Sequence, residues 1–586
     1  MDVDLPPPPR PGNGAKRSSN GCWTCRLRRK KCDEKQPICD TCSTLLITCH
    51  NGQEKPEWMD GGARQDEMAE QLKREVKEKA HFRLRRWERA VQYQKEDHPP
   101  ADTNNGTNTR TGSSTNASSQ HGNDCTLLPQ DGTRSVAFER TDTVLLMFYL
   151  DNVLPFLFPF YRPSPLNGGK SWILELVICS PVLRQAILSQ SSYFFSVARH
   201  TVSCQIIWET MLEQSKETFE VLGQSLQVIN ASNISEHLHG SVRILTAIMQ
   251  LQRFEIAVLS LENCRSHLTA ALALFGQLLT TGSGGNEQAS PAERFSNVMD
   301  RLGPSTWTLP NGCEQFPSAE QSAFRFASAL LIFDDIVAST VLQEPPTLYE
   351  YHDSLLGAND TGVEPLVNLE AVVGCHNCVM RLVGEIAVLD AWKQACIKAG
   401  SLNMMELVRR ATIIQEALEK YLTLLANQPQ STTDEDLNLL DIFRSGYWQR
   451  SRSTSPSNQS NLVTRIWSHA AQIYLFVVVS GWQPASREVG YHVGRILELL
   501  ETEISPPAML RTVAWPFCVG GCLAMANQDP RFRGLVNALH PPSVFGTLRK
   551  ALDIMEEVWR SRSPADAMSR DVSSCFKSVG DLVLLV

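Results

Sequence analysis

Six of the chain's 17 cysteines fall within 28 positions, at Cys22, Cys25, Cys32, Cys39, Cys42 and Cys49. The intervening residues number two, six, six, two and six. Two Cys-x-x-Cys units thus each open one half of the motif, and a third cysteine follows each at the same distance. Thiolates separated by two residues grip one tetrahedral zinc through both sulfurs, and zinc binds thiolate tightly. Six sulfurs make two four-coordinate sites only if two of them bridge, so two zinc ions in one small knot fit the count. A disulfide knot would call for an oxidising compartment. The start of the chain, MDVDLPPPPR, is acidic and proline-rich and does not read as a signal peptide. Of the most apolar later runs, LLMFYLDNVLPFLFPFY is broken by Asp151, Asn152, Pro155 and Pro159, and IYLFVVVSGW reads as too short to cross a bilayer. The expectation is an intracellular protein with reduced thiols.

The cysteines surround a run of cations, RLRRKK at 26–31, with five positive charges in six residues. A segment this small and polar folds only when metal supplies the energy. Once rigid, it would carry Arg26, Arg28, Arg29, Lys30 and Lys31 on one short helix toward phosphates and base edges. Arginine's planar fork suits guanine's two major-groove acceptors. Asp33 and Glu34 follow at once and would trim the basic surface. The same run also reads as a nuclear-import patch.

This stretch closely resembles the DNA-binding head of the fungal zinc-cluster transcription factors, in which six cysteines hold two zincs. The match includes the basic run and a proline, Pro37, two residues before the fourth cysteine. The resemblance implies that Cys22 and Cys39 bridge the metals, that Cys25 and Cys32 complete one site, and that Cys42 and Cys49 complete the other. It also implies a nuclear protein that binds double-stranded DNA and reads a CGG-type triplet. Arg29 stands where the family usually has a base-reading lysine; Arg28 is its helper, and Arg26 and Lys31 suit phosphate. One triplet is a small target, so such heads work as homodimers or heterodimers, or beside a partner.

The elements that must position this head follow from composition. Residues 1–20 are expected to be disordered, 21–50 form the cluster, and 51–63 link it to an amphipathic helix at 64–96. That helix carries Met68, Leu72, Val76, Ala80, Leu84, Trp87 and Val91. Their mean gap exceeds the 3.5-residue spacing of a left-handed coiled coil, so packing of this face on the cluster or the large domain is favoured over dimerisation. Residues 97–135, rich in Asn, Thr, Ser and Gly, cannot bury enough surface to order themselves and predict a flexible tether. Residues 1–98 hold 20 Lys plus Arg against 16 Asp plus Glu; the remaining 35 and 47 make the rest acidic. The nucleic-acid surface therefore belongs to the first part.

Residues 136–586 predict a large all-helical regulatory domain, which makes the fold class mainly α. Ser180 with Pro181 reads as a helix start, spacing Leu183, Ile187, Phe194 and Ala198 along one helix. Ser290 with Glu293, and Ser318 with Gln321, read as capping boxes. Long helical stretches are expected over 365–397, 402–425 and 459–503. Residues 148–181 and 515–524 resemble the fungal-specific regulatory domain found downstream of such heads. Motifs for catalysis are missing: there is no P-loop, G-x-S-x-G, H-E-x-x-H or dinucleotide fingerprint. CHNC at 375–378 and the pair Cys518 and Cys522 read as buried thiols, and TGSGGNEQ at 281–288 as a loop. The acidic, Leu-rich stretch 427–461 reads as a surface loop, with coactivator docking as the alternative. FPFY and WPF read as core, with the lining of an effector pocket as the alternative. The competing function is a zinc-stabilised interaction scaffold in the nucleus without base reading. A ligase-type zinc domain would need eight ligands, and His50 alone does not extend six cysteines to that number.

Overall fold

In the computed structural model the described residues are, at the N-terminal end, 21–28, 30, 32, 34–35, 39, 41–42, 47–50, 55–56 and 58–78. Beyond it they are 140–165, 168–199, 237–258, 263–282, 289–308, 315–357, 365–427, 456–562, 570–577 and 582–586. The expected disordered start, the tether at 97–135, the distal half of the helix at 64–96 and most of the 427–461 loop lie outside them. The chain divides into two compact units, Met1–Ser119 and Gln120–Val586.

The first unit holds α1 (Trp23–Leu27) and α2 (Ala63–Glu78). On α2, Leu72 is buried and Met68 half-buried, while Lys73 and Glu70 pair at 2.5 Å on the exposed side.

Helix starts in the second unit follow short capping signatures. Ser290 and Glu293 exchange bonds of 2.8 and 3.3 Å at the head of the helix Pro291–Leu302. Ser318 and Gln321 do the same at 3.0 and 3.1 Å for the helix Ala319–Leu342. Each box satisfies two backbone N–H groups that the helix leaves open. The helix Pro181–Arg199 starts as expected and buries Leu183, Ile187 and Phe194, although Ala198 is exposed near its end. It meets the preceding helix, Ser171–Cys179, at 117°.

Three features refine the expectations. One antiparallel ribbon, Pro304–Thr308 with Gln315–Pro317, interrupts the helices. Gly303, at φ 67, ends the preceding helix, and Pro304 cannot continue it. The stretch 459–503 is two helices, Pro456–Ser480 and Arg487–Thr502, because Gly481 turns left-handed at φ 80 and a proline follows. IYLFVVVSGW lies on a 23-residue apolar segment, Asn458–Ser480, long enough to span a membrane, yet 83% of its apolar window is buried inside the protein. It is a core helix.

Two helices run through the middle of the second unit, Leu238–Ala257 and Ala319–Leu342, and both are buried on nearly every side. Each carries charge into the core, and the charges are paired across them. Arg243 donates to Glu320 through Nε at 2.9 Å and Nη2 at 2.5 Å. Arg253 pairs with Asp334, which also accepts from Gln252 at 3.1 Å. Asp335 accepts the backbone N–H groups of Thr347 and Leu348 at 3.1 and 2.8 Å, and Glu255 meets His267 at 3.1 Å. Such pairs add little over a well-packed apolar core, but removing one member leaves a buried charge uncompensated. They specify which helix lies against which. Around them Trp467 stacks on Trp515 with ring centroids 5.2 Å apart.

His352 is a buried titratable group of another kind. It is 2% exposed, neither ring nitrogen meets a hydrogen-bond partner, and Gly384 makes room for the ring. Burial, with Arg381 nearby, pushes its pKa down to about 4. A depressed imidazole binds fewer protons folded than unfolded, so its contribution is intact above the unfolded value and is lost as pH falls from about 6.5 to about 4. His352→Phe should remove up to about 3 kcal/mol of that acid sensitivity. Urea unfolding at pH 7 and pH 4.5 checks this; the same pH dependence in both proteins would refute it.

Candidate metal centre and nucleic-acid interface

The knot starts from thiol-capped turns. Cys22 is the N-cap of α1, its Sγ accepting from the Cys25 N–H at 3.4 Å, and Cys39 does the same for Cys42 at 3.4 Å. The repeated Cys-x-x-Cys spacing therefore gives repeated local geometry, in which each turn aims two sulfurs inward. Across the turns, Cys22 and Cys39 lie 3.7 Å apart, Cys25 and Cys39 3.7 Å, and Cys22 and Cys42 3.8 Å. Four thiolates at about 2.3 Å from a tetrahedral zinc sit about 3.8 Å from one another. The sulfurs are thus spaced for zinc and too far apart for disulfides. They gather into two groups of four, Cys22, Cys25, Cys32, Cys39 and Cys22, Cys39, Cys42, Cys49, which share Cys22 and Cys39. All six expected ligands converge, and the donor set fits a two-zinc cluster.

Burial pushes the Cys25 thiol up to about 11 and raises Cys22 and Cys42 as well. Zinc binding must therefore displace protons, which makes loading pH-dependent. Besides the cysteines, only Ile47 joins this small apolar cluster among the described residues. Gly21 is needed for close approach: a Cβ there would lie 2.9 Å from the Cβ of Cys32.

A second clamp was not anticipated from the sequence. Thr24, fully buried, donates its hydroxyl to Thr48 O at 2.8 Å and accepts the His50 N–H at 3.0 Å. The Trp23 N–H bonds to His50 O at 2.8 Å, and the His50 ring meets Trp58 edge-on at 5.2 Å. The end of the motif is thereby tied to the first turn of α1. His50 is a structural partner of Thr24, as a polar residue inside a Cys-x-x-Cys turn could have hinted.

The basic run behaves differently from the expectation of a single helix. Helix α1 ends at Leu27, Arg28 caps it, and the Lys30 N–H returns to Cys25 O at 2.9 Å. Arg26 lies on the helix, its guanidinium 4.5 Å over the Trp23 ring. Arg28 is half-buried, with its Nη1 buried and meeting no hydrogen-bond partner, and Lys30 is exposed. Arg29, Lys31 and Asp33 lie outside the described residues. Glu34 is exposed in a left-handed turn at φ 61. The run straddles the helix end because α1 stops at Leu27, two residues into the six that separate Cys25 from Cys32.

In the second unit, Cys375 is buried, Cys378 half-buried, and His376 precedes the helix Asn377–Lys398 and lies 3.5 Å from Glu370. Burial and the neighbouring Cys378 and Glu370 act on this imidazole in opposite senses, and its pKa rises to about 9. Cys518 and Cys522 are core thiols 4.0 Å apart. Residues 283–288 of the glycine-rich stretch lie outside the described residues.

Residues 20–58 match the fungal Zn(2)-Cys(6) binuclear cluster domain, and residues 144–577 match the fungal specific transcription factor domain. The chain is 33% identical to "Transcription factor dibT" of Pestalotiopsis microspora, across 97% of this chain and 99% of that protein. It is 28% identical to "Pestheic acid cluster transcriptional regulator 3" of Pestalotiopsis fici, across 93% and 95%. Identity to "ustiloxin B cluster transcription factor ustR" of Aspergillus flavus is 25%, across 94% and 95%. No solved structure matches. The chain belongs to the fungal zinc-cluster transcription factors, a nuclear, DNA-binding and non-catalytic family whose cluster holds two zincs.

Metal analysis of the full chain should give two zincs, and chelation at pH 7 should abolish DNA binding while the larger unit keeps its far-UV signal. Thr24→Val removes the donor to Thr48 and leaves the His50 N–H without its acceptor. It should cost the head about 1–3 kcal/mol, read as weaker zinc retention against a chelator. Unchanged retention would show that the clamp is dispensable.

Proposed function

We propose that this protein regulates RNA polymerase II genes by reading CGG-type triplets through residues 26–31, with Cys22 and Cys39 bridging its two zincs. The observation that carries the reading is the tie between metal and cations. Lys30 bonds through its backbone to Cys25, and Arg28 bonds to Thr24 O at 3.1 Å inside the same turn. The cationic backbone is therefore ordered by the ligands, as base readout requires and simple phosphate attraction does not. In this reading Arg29 reads the bases with Arg28 beside it, while Arg26, Lys30 and Lys31 hold phosphates. A homodimer or heterodimer would read two triplets. The names of two relatives, regulators of the pestheic acid and ustiloxin B clusters, support control of a group of biosynthetic genes. Coactivators would be the partners of the larger unit or of the 427–461 stretch. The alternative, a zinc-held scaffold without base reading, makes the opposite prediction for duplex binding.

Cys22→Ala should lose more zinc than Cys25→Ala, since a bridging sulfur serves both ions; equal losses would remove the bridge from Cys22. Arg29→Ala should relax discrimination at one base of a CGG duplex by about 1–3 kcal/mol. Lys31→Ala should weaken target and scrambled duplexes alike and lower the salt dependence by about one counterion. Equal losses on both duplexes for Arg29→Ala would refute its role as base reader, and equal binding of both by the unmodified chain would favour the scaffold.

A further inference from the structure

One cluster of reactive groups in the larger unit has no part in reading DNA. CHNC at 375–378 opens the helix Asn377–Lys398, with His376 as its N-cap residue and Cys378 as its second residue. The His376 N–H donates to Thr464 Oγ1 at 3.1 Å, and its side chain makes no capping bond, which leaves the ring for other partners. Those partners are Glu370, 3.5 Å from Nε2, and the Cys378 thiol, to which the ring is hydrogen-bonded. Glu370 is itself held by the Ser460 hydroxyl at 2.9 Å. Tyr421, on the helix Met404–Asn427, meets the same thiol. Carboxylate, imidazole and thiol thus form a chain in which each group orients the next.

Burial opposes charge on His376, but Cys378 and Glu370 outweigh it and bring the pKa to about 9, so the ring is a cation at neutral pH. The first turn of the helix adds N–H groups that have no intrahelical acceptor. A sulfur beside an imidazolium and such a turn has the surroundings in which thiols act as nucleophiles. Cys378 is also half-buried, whereas Cys264, Cys375, Cys518, Cys522 and Cys575 are buried. Cys396 is half-buried too, but it lies near the far end of the same helix, where the dipole disfavours a negative sulfur.

We propose that Cys378 is a peroxide-reactive thiol, with His376 as the acid that assists it and Glu370 as the group that orients His376. The thiolate sulfur attacks the terminal oxygen of a hydroperoxide, the O–O bond breaks, and the leaving alkoxide or hydroxide takes the imidazolium proton. Sulfur is oxidised by two electrons to a sulfenic acid, and the peroxide is reduced to an alcohol or water. The added oxygen falls beside Tyr421, at the packing of two neighbouring helices. The site is independent of base reading.

The test uses the zinc-loaded full chain, hydrogen peroxide as probe and dimedone as trap for sulfenic acid, with each cysteine quantified by peptide mass mapping. At pH 7 Cys378 should be trapped at least about tenfold faster than Cys396. His376→Asn keeps a residue suited to an N-cap, and it should slow Cys378 about tenfold while leaving Cys396 unchanged. Glu370→Gln should slow Cys378 less. A purely structural role for His376 gives the opposite sign, since a loosened helix start exposes the sulfur and speeds its reaction. Any of three results overturns the proposal: no adduct at Cys378, equal rates at Cys378 and Cys396, or an undiminished Cys378 rate in both variants. Should His376→Asn fail to fold, the unmodified chain and Glu370→Gln decide.

Discussion

Zinc–thiolate bonding is the constraint on which the reading head depends. A knot whose apolar interior, among the described residues, consists of four buried cysteines and Ile47 cannot offset the entropy of ordering some thirty residues. The metal must supply that free energy, and it does so through sulfurs that burial alone would keep protonated. Folding, metal loading and proton release are therefore one equilibrium in this segment. The same sulfurs cap the turns that carry them, so the ligand geometry and the helix start are a single structural decision. The cations follow from it: α1 ends where the chain turns back toward Cys32, and the basic run emerges at that turn.

The larger unit solves a different problem. It has ample apolar surface, and its difficulty is choosing one packing of many similar helices. Ion pairs such as Arg243 with Glu320 and Arg253 with Asp334 contribute little net stability but penalise any arrangement that separates them. Specificity of packing is thus carried by charge, and stability by the aromatic and aliphatic side chains around it. Arg511 departs from this pattern. Its counterpart is a backbone carbonyl and a ring face, as Lys393 and Arg184 likewise donate to backbone carbonyls.

Much of this was legible in the residues. The cysteine count and spacing gave the metal number, since six sulfurs serve two tetrahedral ions only by sharing. Ser290 with Glu293 and Ser318 with Gln321 marked helix starts correctly because capping is local chemistry, decided within four residues. What could not be read was long-range or depended on a single turn. The Thr24–His50 clamp joins positions 26 apart, and neither residue belongs to a recognised spacing. The ribbon after Gly303 was missed for its shortness: five and three residues give too little alternation to register.

The division of charge between the two units bears on how such a protein works. The acidic majority of the chain would repel DNA if it had to lie along it, so reading must be confined to the small basic head. A head held only by metal can be silenced by losing zinc, yet that would be a poor way to sense a metabolite, since it destroys the reader. A signal received in the larger unit avoids that cost. The protein thus keeps two kinds of order in different chemistry, thiolate and zinc for the fold of the reader, and buried ion pairs with apolar packing for the larger unit.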